Sequence, residues 1–287
     1  MKNIGINVNT TKDLNEKMLN FIIEDIHSID KNVNIKVYRD CVGLDENESD
    51  TLDIIIVLGG DGTILNTSKN VLRSKTPILG VNIGHLGFLA QVEISNVKTA
   101  LERLFAGEYT VEERDMLQCS YDDGNKIRKY DGLNDVVLCR KVNSRIQRYD
   151  IYINNTFYNT FRGDGIIVCT STGSTGYNLS AGGPIIHPSL NVLCLTPMYS
   201  QGLTARSIIL DSSSLISITS RKEFEDVYLS VDGQLCIKIN GLNPLKISRS
   251  ENKRRLIKFS NNNYFNTLKE KITFKVKGYE GEIYEGN

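Results

Sequence analysis

The sequence predicts an open, mostly parallel α/β domain followed by a mainly antiparallel, sandwich-like β domain, with a C-terminal segment that packs back on the first. Three observations carry this expectation. Residues 1–112 alternate short apolar runs with helical periodicity, the rhythm of successive β-α units. Residues 113–255 carry short strand-like segments punctuated by turn residues, with few helical patterns between them. Residues 256–287 return to mixed character.

Taken in order, Ile4 to Val8 reads as a strand. From Asp13 to Ile29, Leu14, Met18, Phe21, Ile22, Ile26 and Ile29 recur at near-helical spacing. Val33 to Tyr38 is a second strand. Leu52 to Leu58 is a third, and its almost unbroken apolarity suits a strand buried on both faces of a parallel sheet. A helical pattern follows from Ile64 to Leu72, then a strand from Pro77 to Val81 and a glycine-containing turn. Ser95 is placed to cap a helix from Val97 to Phe105.

The second half reads as strands at Gly132–Cys139, Tyr149–Ile153, Ile166–Cys169, Val192–Thr196, Ser207–Leu210, Leu215–Thr219, Val227–Val231 and Leu235–Ile239. Asn154-Asn155, Asp211 to Ser214 and Asp232-Gly233 supply turns between them. The segment from Phe274 to Asn287 carries no motif.

Composition bounds the partners. Lys+Arg and Asp+Glu both number 34, giving a formal net charge of zero, without the basic excess of a nucleic-acid binder. No apolar run approaches the roughly 20 residues that span a bilayer, and the N-terminus shows no signal-peptide pattern, so a cytoplasmic protein is expected. The cysteines, Cys41, Cys119, Cys139, Cys169, Cys194 and Cys236, form no C-x-x-C pair. Cys139, Cys169, Cys194 and Cys236 fall in or beside apolar runs and are expected as buried, reduced thiols rather than zinc ligands.

The chemistry starts at Gly59-Gly60-Asp61-Gly62-Thr63, delivered to the end of the third strand just before a helix. Open α/β sheets bind ligands at that edge. Glycine lets the backbone approach a phosphate, and the helix start adds N–H donors. Asp61 would present a carboxylate to the same ligand. The plainer alternative is a tight strand-to-helix turn in which Asp61 merely caps the helix. Neither G-x-x-x-x-G-K-[ST] nor G-x-G-x-x-G is present, so neither a P-loop nor the usual dinucleotide fingerprint is supported.

Gly59 to Thr63 resembles the signature of a kinase superfamily that includes NAD kinases, diacylglycerol and sphingosine kinases, and phosphofructokinases. Four further segments narrow the resemblance to NAD kinases. Asn82 to Leu89 is similar to their N-x-G-x-L-G-F-L segment, and Leu133-Asn134-Asp135-Val136-Val137 to their L-N-[ED]-V-V strand. Thr170 to Pro184 resembles the long T-x-[TS]-G-[ST]-T-A-Y-x-x-S-A-G-G-P motif, and Val231 to Gln234 a late D-G-Q turn. The segments follow family order over most of the chain.

The resemblance implies phosphoryl transfer from ATP, with polyphosphate as a possible donor, to the 2′-hydroxyl of the adenosine ribose of NAD. Asp61 would orient that hydroxyl and accept its proton, with Gly62 beside the dinucleotide; alternatively Asp61 chiefly holds the metal. Gly59, Gly60, Gly62 and Thr63 would hold donor phosphates. The Asn134–Asp135 pair would read adenine and ribose, Asp135 being one methylene shorter than the commoner Glu. Thr172, Thr175, Gly176, Tyr177, Asn178 and Ser180 would line the adenine side, with Tyr177 as a stacking surface. Gly176 departs from the usual Ala and loosens that wall. Arg162 and Asp164 match substrate contacts made partly across a subunit boundary, and Tyr199 and Gln234 match later contacts. No compact metal-ligand cluster is present, so Mg²⁺ would arrive with ATP. A homodimer or homotetramer is implied, the tetramer being expected, with no nucleic-acid or membrane partner.

Other residues carry plainer expectations. His85 lies at a position the family varies, His187 before Pro188 belongs to a turn or interface, and Arg114-Asp115 reads as a domain-junction ion pair. Lys126, Arg128 and Lys129 read as a solvated face. The rival functions are a lipid kinase, which should show a membrane-docking surface, and a non-catalytic NAD(P) sensor that kept the pocket.

Overall fold

The computed structural model describes residues 1–84, 87–141, 143–199, 205–220, 227–239, 244–260 and 263–277, with side chains of the last stretch described to residue 271. Two compact units emerge, one of Met1–Glu112 with the chain from Arg255 onward, the other of Glu113–Arg254.

The first unit is built on β1 (Asn3–Val8), α1 (Lys17–Ile29), β2 (Asn34–Arg39), the short α2 (Glu46–Ser49), β3 (Ile54–Gly59), α3 (Asp61–Asn70), β4 (Ile78–Asn82), β5 (Val92–Glu93) and α4 (Val97–Phe105). The four long strands run parallel in the order β2-β1-β3-β4. Side chains alternate across a strand, so Ile54, Ile56 and Leu58 join Ile4, Ile6 and Val8 on one face. Leu19, Ile22 and Ile26 of α1 and Leu101 and Leu104 of α4 cover that face. On the other face Ile64 of α3 reaches Gly80 of β4, where its methyl would sit 2.5 Å from any Cβ. Each fully buried aliphatic side chain of this layer contributes about 1.5–3 kcal/mol.

Local details differ from expectation where capping competes with periodicity. Leu14 is exposed and lies outside α1; Asp13 instead turns back, its carboxylate accepting the Leu19 N–H at 2.9 Å. The third helix begins at Asp61, not Ile64, because its first turn forms directly on Gly60. Ser95 does not cap α4: it lies inside a 3₁₀ turn, Ile94–Asn96, that leads into the helix.

The second unit contains β6 (Thr110–Asp122), β7 (Ile127–Gly132), β8 (Asp135–Arg140), β9 (Gln147–Ile153), β10 (Thr156–Gly163), β11 (Gly165–Thr170), the short α5 (Tyr177–Ser180), β12 (Val192–Met198), β13 (Ile208–Asp211), β14 (Ile216–Thr219), β15 (Val227–Val231), β16 (Leu235–Ile239) and β17 (Leu245–Lys258). Strands β6 and β17 each carry the chain from one unit into the other. One sheet runs β10-β9-β14-β17, with β6 also paired to β17; the other runs β13-β12-β11-β8-β15-β16, and the pairings along both paths are antiparallel. Val136, Leu138, Val168 and Leu195 from the second sheet and Tyr149, Ile151, Ile216 and Ile247 from the first form one core, the interior of a sandwich.

The single strand expected over Gly132–Cys139 is two, β7 ending at Gly132 and β8 starting at Asp135. The hairpin turns at Asn154-Asn155 and Asp232-Gly233 have both central residues at positive φ, the type I′ geometry that matches strand twist. All six thiols are free, but Cys236 is exposed and Cys139 only half-buried, because both sit on outward-facing strand positions. Arg128 pairs with Asp123 at 2.5 Å across its own hairpin, so that face is ion-paired rather than simply solvated. A final helix, α6 (Tyr264–Lys277), follows β17. Phe259 joins the first unit's core and lies under the Arg103 guanidinium at 5.0 Å. Among the described residues no helix is long and apolar enough to cross a membrane.

Candidate active site

In the strand order β2-β1-β3-β4 the chain leaves β1 for one side and β3 for the other, so the switch point lies between β1 and β3. Ligands of open α/β sheets bind in the crevice beyond the strand ends there. Gly59–Thr63 follows β3 and Asn9–Lys12 follows β1, with Val8 registered against Leu58. The two turns are bonded together: the Asn9 N–H donates to Leu58 O at 3.0 Å and Asn9 Nδ2 to Thr63 Oγ1 at 3.1 Å. Asn9 Oδ1 accepts from the N–H groups of Thr11 and Lys12, closing the second turn.

The glycines of the loop have separate uses. A Cβ on Gly59 would meet Thr63 Oγ1 at 2.2 Å, and one on Gly60 would meet Lys12 Nζ at 2.9 Å. Gly62 faces open space, leaving bare backbone for a ligand. Gly60 stands at the N-cap with no side chain to satisfy the first N–H groups of α3.

Asp61 does not cap its own helix. Its Oδ2 accepts the Phe88 N–H at 2.9 Å, and its Oδ1 accepts those of Leu89 and Ala90 at 3.0 and 3.1 Å. An ionised carboxylate offers about four acceptor positions, so roughly one remains for an outside group. Nearby, Asn82 is buried at the end of β4; its Oδ1 holds the Gly84 N–H while its Nδ2 has no partner among the described residues. His85 lies outside the described residues.

The second unit assembles the other expected residues. Asp232, which sequence reasoning left inside a turn signal, is the organiser: its carboxylate accepts the N–H groups of Leu133, Asn134 and Asp135 at 2.7, 2.7 and 3.0 Å. That bracket fixes the chain between β7 and β8, and Asn134 Oδ1 is buried there without a partner among the described residues. Asp135 is 5% exposed, and burial first, then the Asp232 charge, pushes its carboxyl up to about 7. Burial raises Asp232 too, opposed by its three N–H bonds.

The long motif folds onto this pair. Gly173 lets the turn press on Asn134, where a Cβ would lie 2.1 Å from the carbonyl oxygen. Thr172 is buried and accepts Arg114 Nη1 at 3.4 Å. Thr175 sits beside it, bonded to Thr172 O at 3.4 Å. The open side of Gly176 faces Asn134 Nδ2 and Asp135 Oδ2, at 3.4 and 3.8 Å from where its methyl would be. Tyr177 is 48% exposed, and Tyr199, at positive φ, is more so. Burial first, then the neighbouring Cys139, Tyr199, Asp135 and Asp164, raises the Tyr177 hydroxyl above its usual range. Ser180 is exposed at the end of α5.

Three residues carry contacts the sequence did not express. Asn178 is fully buried in that wall, Nδ2 donating to Ser174 O and Pro184 O and Oδ1 accepting from Thr196, so its amide is already engaged within the chain. Arg114 and Asp115 do not pair: successive strand residues face opposite sides, and Asp115 instead lies 4.0 Å from Lys253. Asp164 is engaged by Arg140 at 2.7 Å, a partner the sequence did not suggest. Arg162 stands exposed on β10, and Gln234 sits in the β15–β16 turn with its N–H bonded to Val231 O. His187 is a turn residue, its Nδ1 2.7 Å from Ser189 Oγ.

Among the described residues no three His, Cys, Asp or Glu side chains converge to hold a metal. Asp61 keeps about one free acceptor position, and a carboxylate oxygen is the hard donor that Mg²⁺ takes.

Comparison with known proteins agrees with this geometry. Residues 2–109 match the ATP-NAD kinase N-terminal domain and residues 133–259 the ATP-NAD kinase C-terminal domain. A Clostridium kluyveri protein named NAD kinase is 72% identical over 283 residues, covering 99% of this chain and 100% of its own. A Clostridium botulinum NAD kinase is 46% identical over 282 residues, covering 98% and 100%. The fold is similar to yeast NADH kinase complexed with NADH (TM-score 0.84, 22% identity, 100% of this chain and 90% of that one). It is also similar to an Archaeoglobus fulgidus NAD kinase in complex with ATP (TM-score 0.78, 23% identity, 94% and 98%). With both family domains matched and full-length relatives this similar, the chain belongs to the ATP–NAD kinase family.

Proposed function

We propose that this chain is an NAD kinase that transfers the γ-phosphoryl group of ATP to the 2′-hydroxyl of the adenosine ribose of NAD, giving NADP. The observation that carries the reading is the 72% identity, end to end, with a relative named NAD kinase. Neither a lipid kinase nor a sensor draws support from the relatives.

In this reading Asn134 and Asp135 take the adenosine half of NAD, with Tyr177 stacking on the base and Thr172, Thr175, Gly176 and Ser180 lining its side. Asp164, Tyr199 and Gln234 complete the acceptor site, and Arg162 reaches it across a subunit boundary in a homotetramer. Asp61, with Gly62 beside the dinucleotide, offers its remaining acceptor position to the 2′-hydroxyl. Phosphoryl transfer passes through a loose transition state, so positioning and charge neutralisation dominate. Such a transition state leaves the attacking oxygen little deprotonated, so Asp61 orients the hydroxyl first and takes its proton late. Mg²⁺ bound with ATP would neutralise the phosphate charge. The six free thiols suit a cytoplasmic location.

Purified protein with NAD, ATP and Mg²⁺, followed for NADP, tests the reading. NADP formation supports it. Tight NADP binding without turnover would replace it by the sensor, and phosphorylation of a lipid diol by the lipid kinase. Light scattering after size exclusion tests the tetramer.

A further inference from the structure

The donor side of the reaction lacks an assigned cationic side chain. Gly59–Thr63 supplies backbone and one carboxylate, yet a triphosphate carries several negative charges. A lysine stands in the right place. The Lys12 ammonium lies 2.9 Å from the position a Cβ on Gly60 would occupy, directly against the loop. The ammonium makes no ion pair or hydrogen bond among the described residues.

Its backbone is fixed as well. The Lys12 N–H donates to Asn9 O and to Asn9 Oδ1, at 3.1 and 3.2 Å, while Asn9 Nδ2 grips Thr63. The lysine turn and the glycine loop thus form one bonded unit on either side of the β1–β3 switch point. Lys12 also lines a cavity of about 310 Å³ with Lys17, Leu14, Met18, Ile83 and Ile94. Asp13 and Asn15 also line it, the Asp13 carboxylate being turned onto the Met18 and Leu19 N–H groups, and two lysines beside an apolar wall suit a ligand with an anionic end and a flat apolar end. A nucleoside triphosphate has both.

We propose that Lys12 binds the terminal phosphates of the donor nucleoside triphosphate beside Gly60, making the Asn9–Lys12 turn the second wall of the donor site. The inference rests on the kinase reading for the identity of the reaction. A side chain at residue 60 would meet the ammonium where it lies against the loop, so the glycine leaves that position to the lysine. A lysine acts on phosphate as a point charge, and needs no bidentate geometry.

The test compares Lys12→Ala, Lys12→Arg and, as a charge control, Lys31→Ala in the full-length protein. Lys31 is exposed in the α1–β2 turn, at the opposite end of the sheet. Loss of a charge-assisted phosphate contact should raise KM for ATP by about tenfold or more in Lys12→Ala, with KM for NAD within twofold. Lys12→Arg should recover most of the loss, and Lys31→Ala should match the unaltered chain. Calorimetric binding of the magnesium complex of β,γ-imido ATP gives a readout without turnover and should weaken in parallel. Unchanged ATP parameters in Lys12→Ala, an equal loss toward NAD, or no binding of the analogue by the unaltered chain would each overturn the proposal. An unaltered chain that binds the analogue through Lys12 but makes no NADP would overturn the acceptor assignment and leave the donor site standing.

Discussion

The carboxylate of Asp61 fills the space a side chain at residue 87 would need: a Cβ built on Gly87 would lie 2.0 Å from Asp61 Oδ1. Asp61 is short, and three N–H groups of the chain from Phe88 to Ala90 hold it, so it cannot simply swing aside. Gly87→Ala should therefore displace Asp61, lowering kcat by about 100-fold through lost positioning. Stability should fall by about 1–3 kcal/mol, as overpacking usually costs. Steady-state kinetics and denaturant melts check both, and a variant with normal kcat would show that this placement of Asp61 does not matter to turnover.

Asp61→Asn keeps the shape but turns an acceptor into a donor facing backbone N–H groups. Turnover should drop by about 10²–10⁴-fold, the usual worth of proton acceptance by a positioned group. Single-turnover NADP formation measures it. Near-normal rates would remove Asp61 from both the base and the metal-holding roles.

Asp135 makes a pH-dependent prediction. Its carboxyl titrates near 7 because it is buried beside Asp232, whereas binding to ribose hydroxyls asks for the ionised form. NAD affinity should rise by about tenfold between about pH 6 and about pH 8, and Asp135→Asn should flatten the profile. The stability effect has the opposite sign. The folded state holds this proton more tightly than the unfolded chain, so the group's contribution falls as pH rises from about 4 to about 7. Asp135→Asn should then be relatively stabilised at pH 8, by about 4 kcal/mol at most. Calorimetry of NAD binding and urea melts across this range test the two halves separately.

Asp232 is expected to act through Asn134 and Asp135 without touching NAD. Asp232→Ala leaves three N–H groups without their acceptor and should cost about 2–4 kcal/mol of stability. KM for NAD should rise with little change in KM for ATP. Equal effects on both substrates would mean a general loss of fold.

Asn178 and Tyr177 should separate cleanly despite being neighbours. Asn178→Ala removes a saturated, buried amide and should show mainly as lost stability, again about 2–4 kcal/mol. Tyr177→Ala, at an exposed ring, should leave the melting profile almost unchanged and weaken NAD binding by about 1–3 kcal/mol, the range of base–aromatic stacking. Thermal melts and NAD titrations distinguish them; a destabilised Tyr177→Ala with normal NAD affinity would reverse the assignment.

Much of the first unit was legible because its strands are short apolar runs with helical stretches between them, and Leu52 to Leu58 could hardly be anything but a buried strand. The second unit was harder. β6, β7, β10 and β17 are rich in charged and polar residues, so apolar runs do not mark them; only pairing with neighbouring strands reveals them. Asn178 was legible as part of a motif, but not as a residue whose amide is consumed inside the chain. Its burial follows from how α5 folds under Gly183 and Thr196, which local sequence does not express.

The glycine loop shows where the division falls. Sequence alone determined that Gly59 to Thr63 ends a buried strand, that a helix follows and that a carboxylate stands among glycines, since these depend on local periodicity and backbone sterics. Sequence also carried the family, through motifs in order. Tertiary structure decided what the loop faces. Lys12 lies 48 residues before Gly60 in the chain, and it comes beside that glycine only because β1 and β3 pair in parallel register. Asp61 meets residues 87–90, and Asp232 meets residues 133–135, for the same reason: contacts across the sheet depend on strand order, a property no single segment encodes.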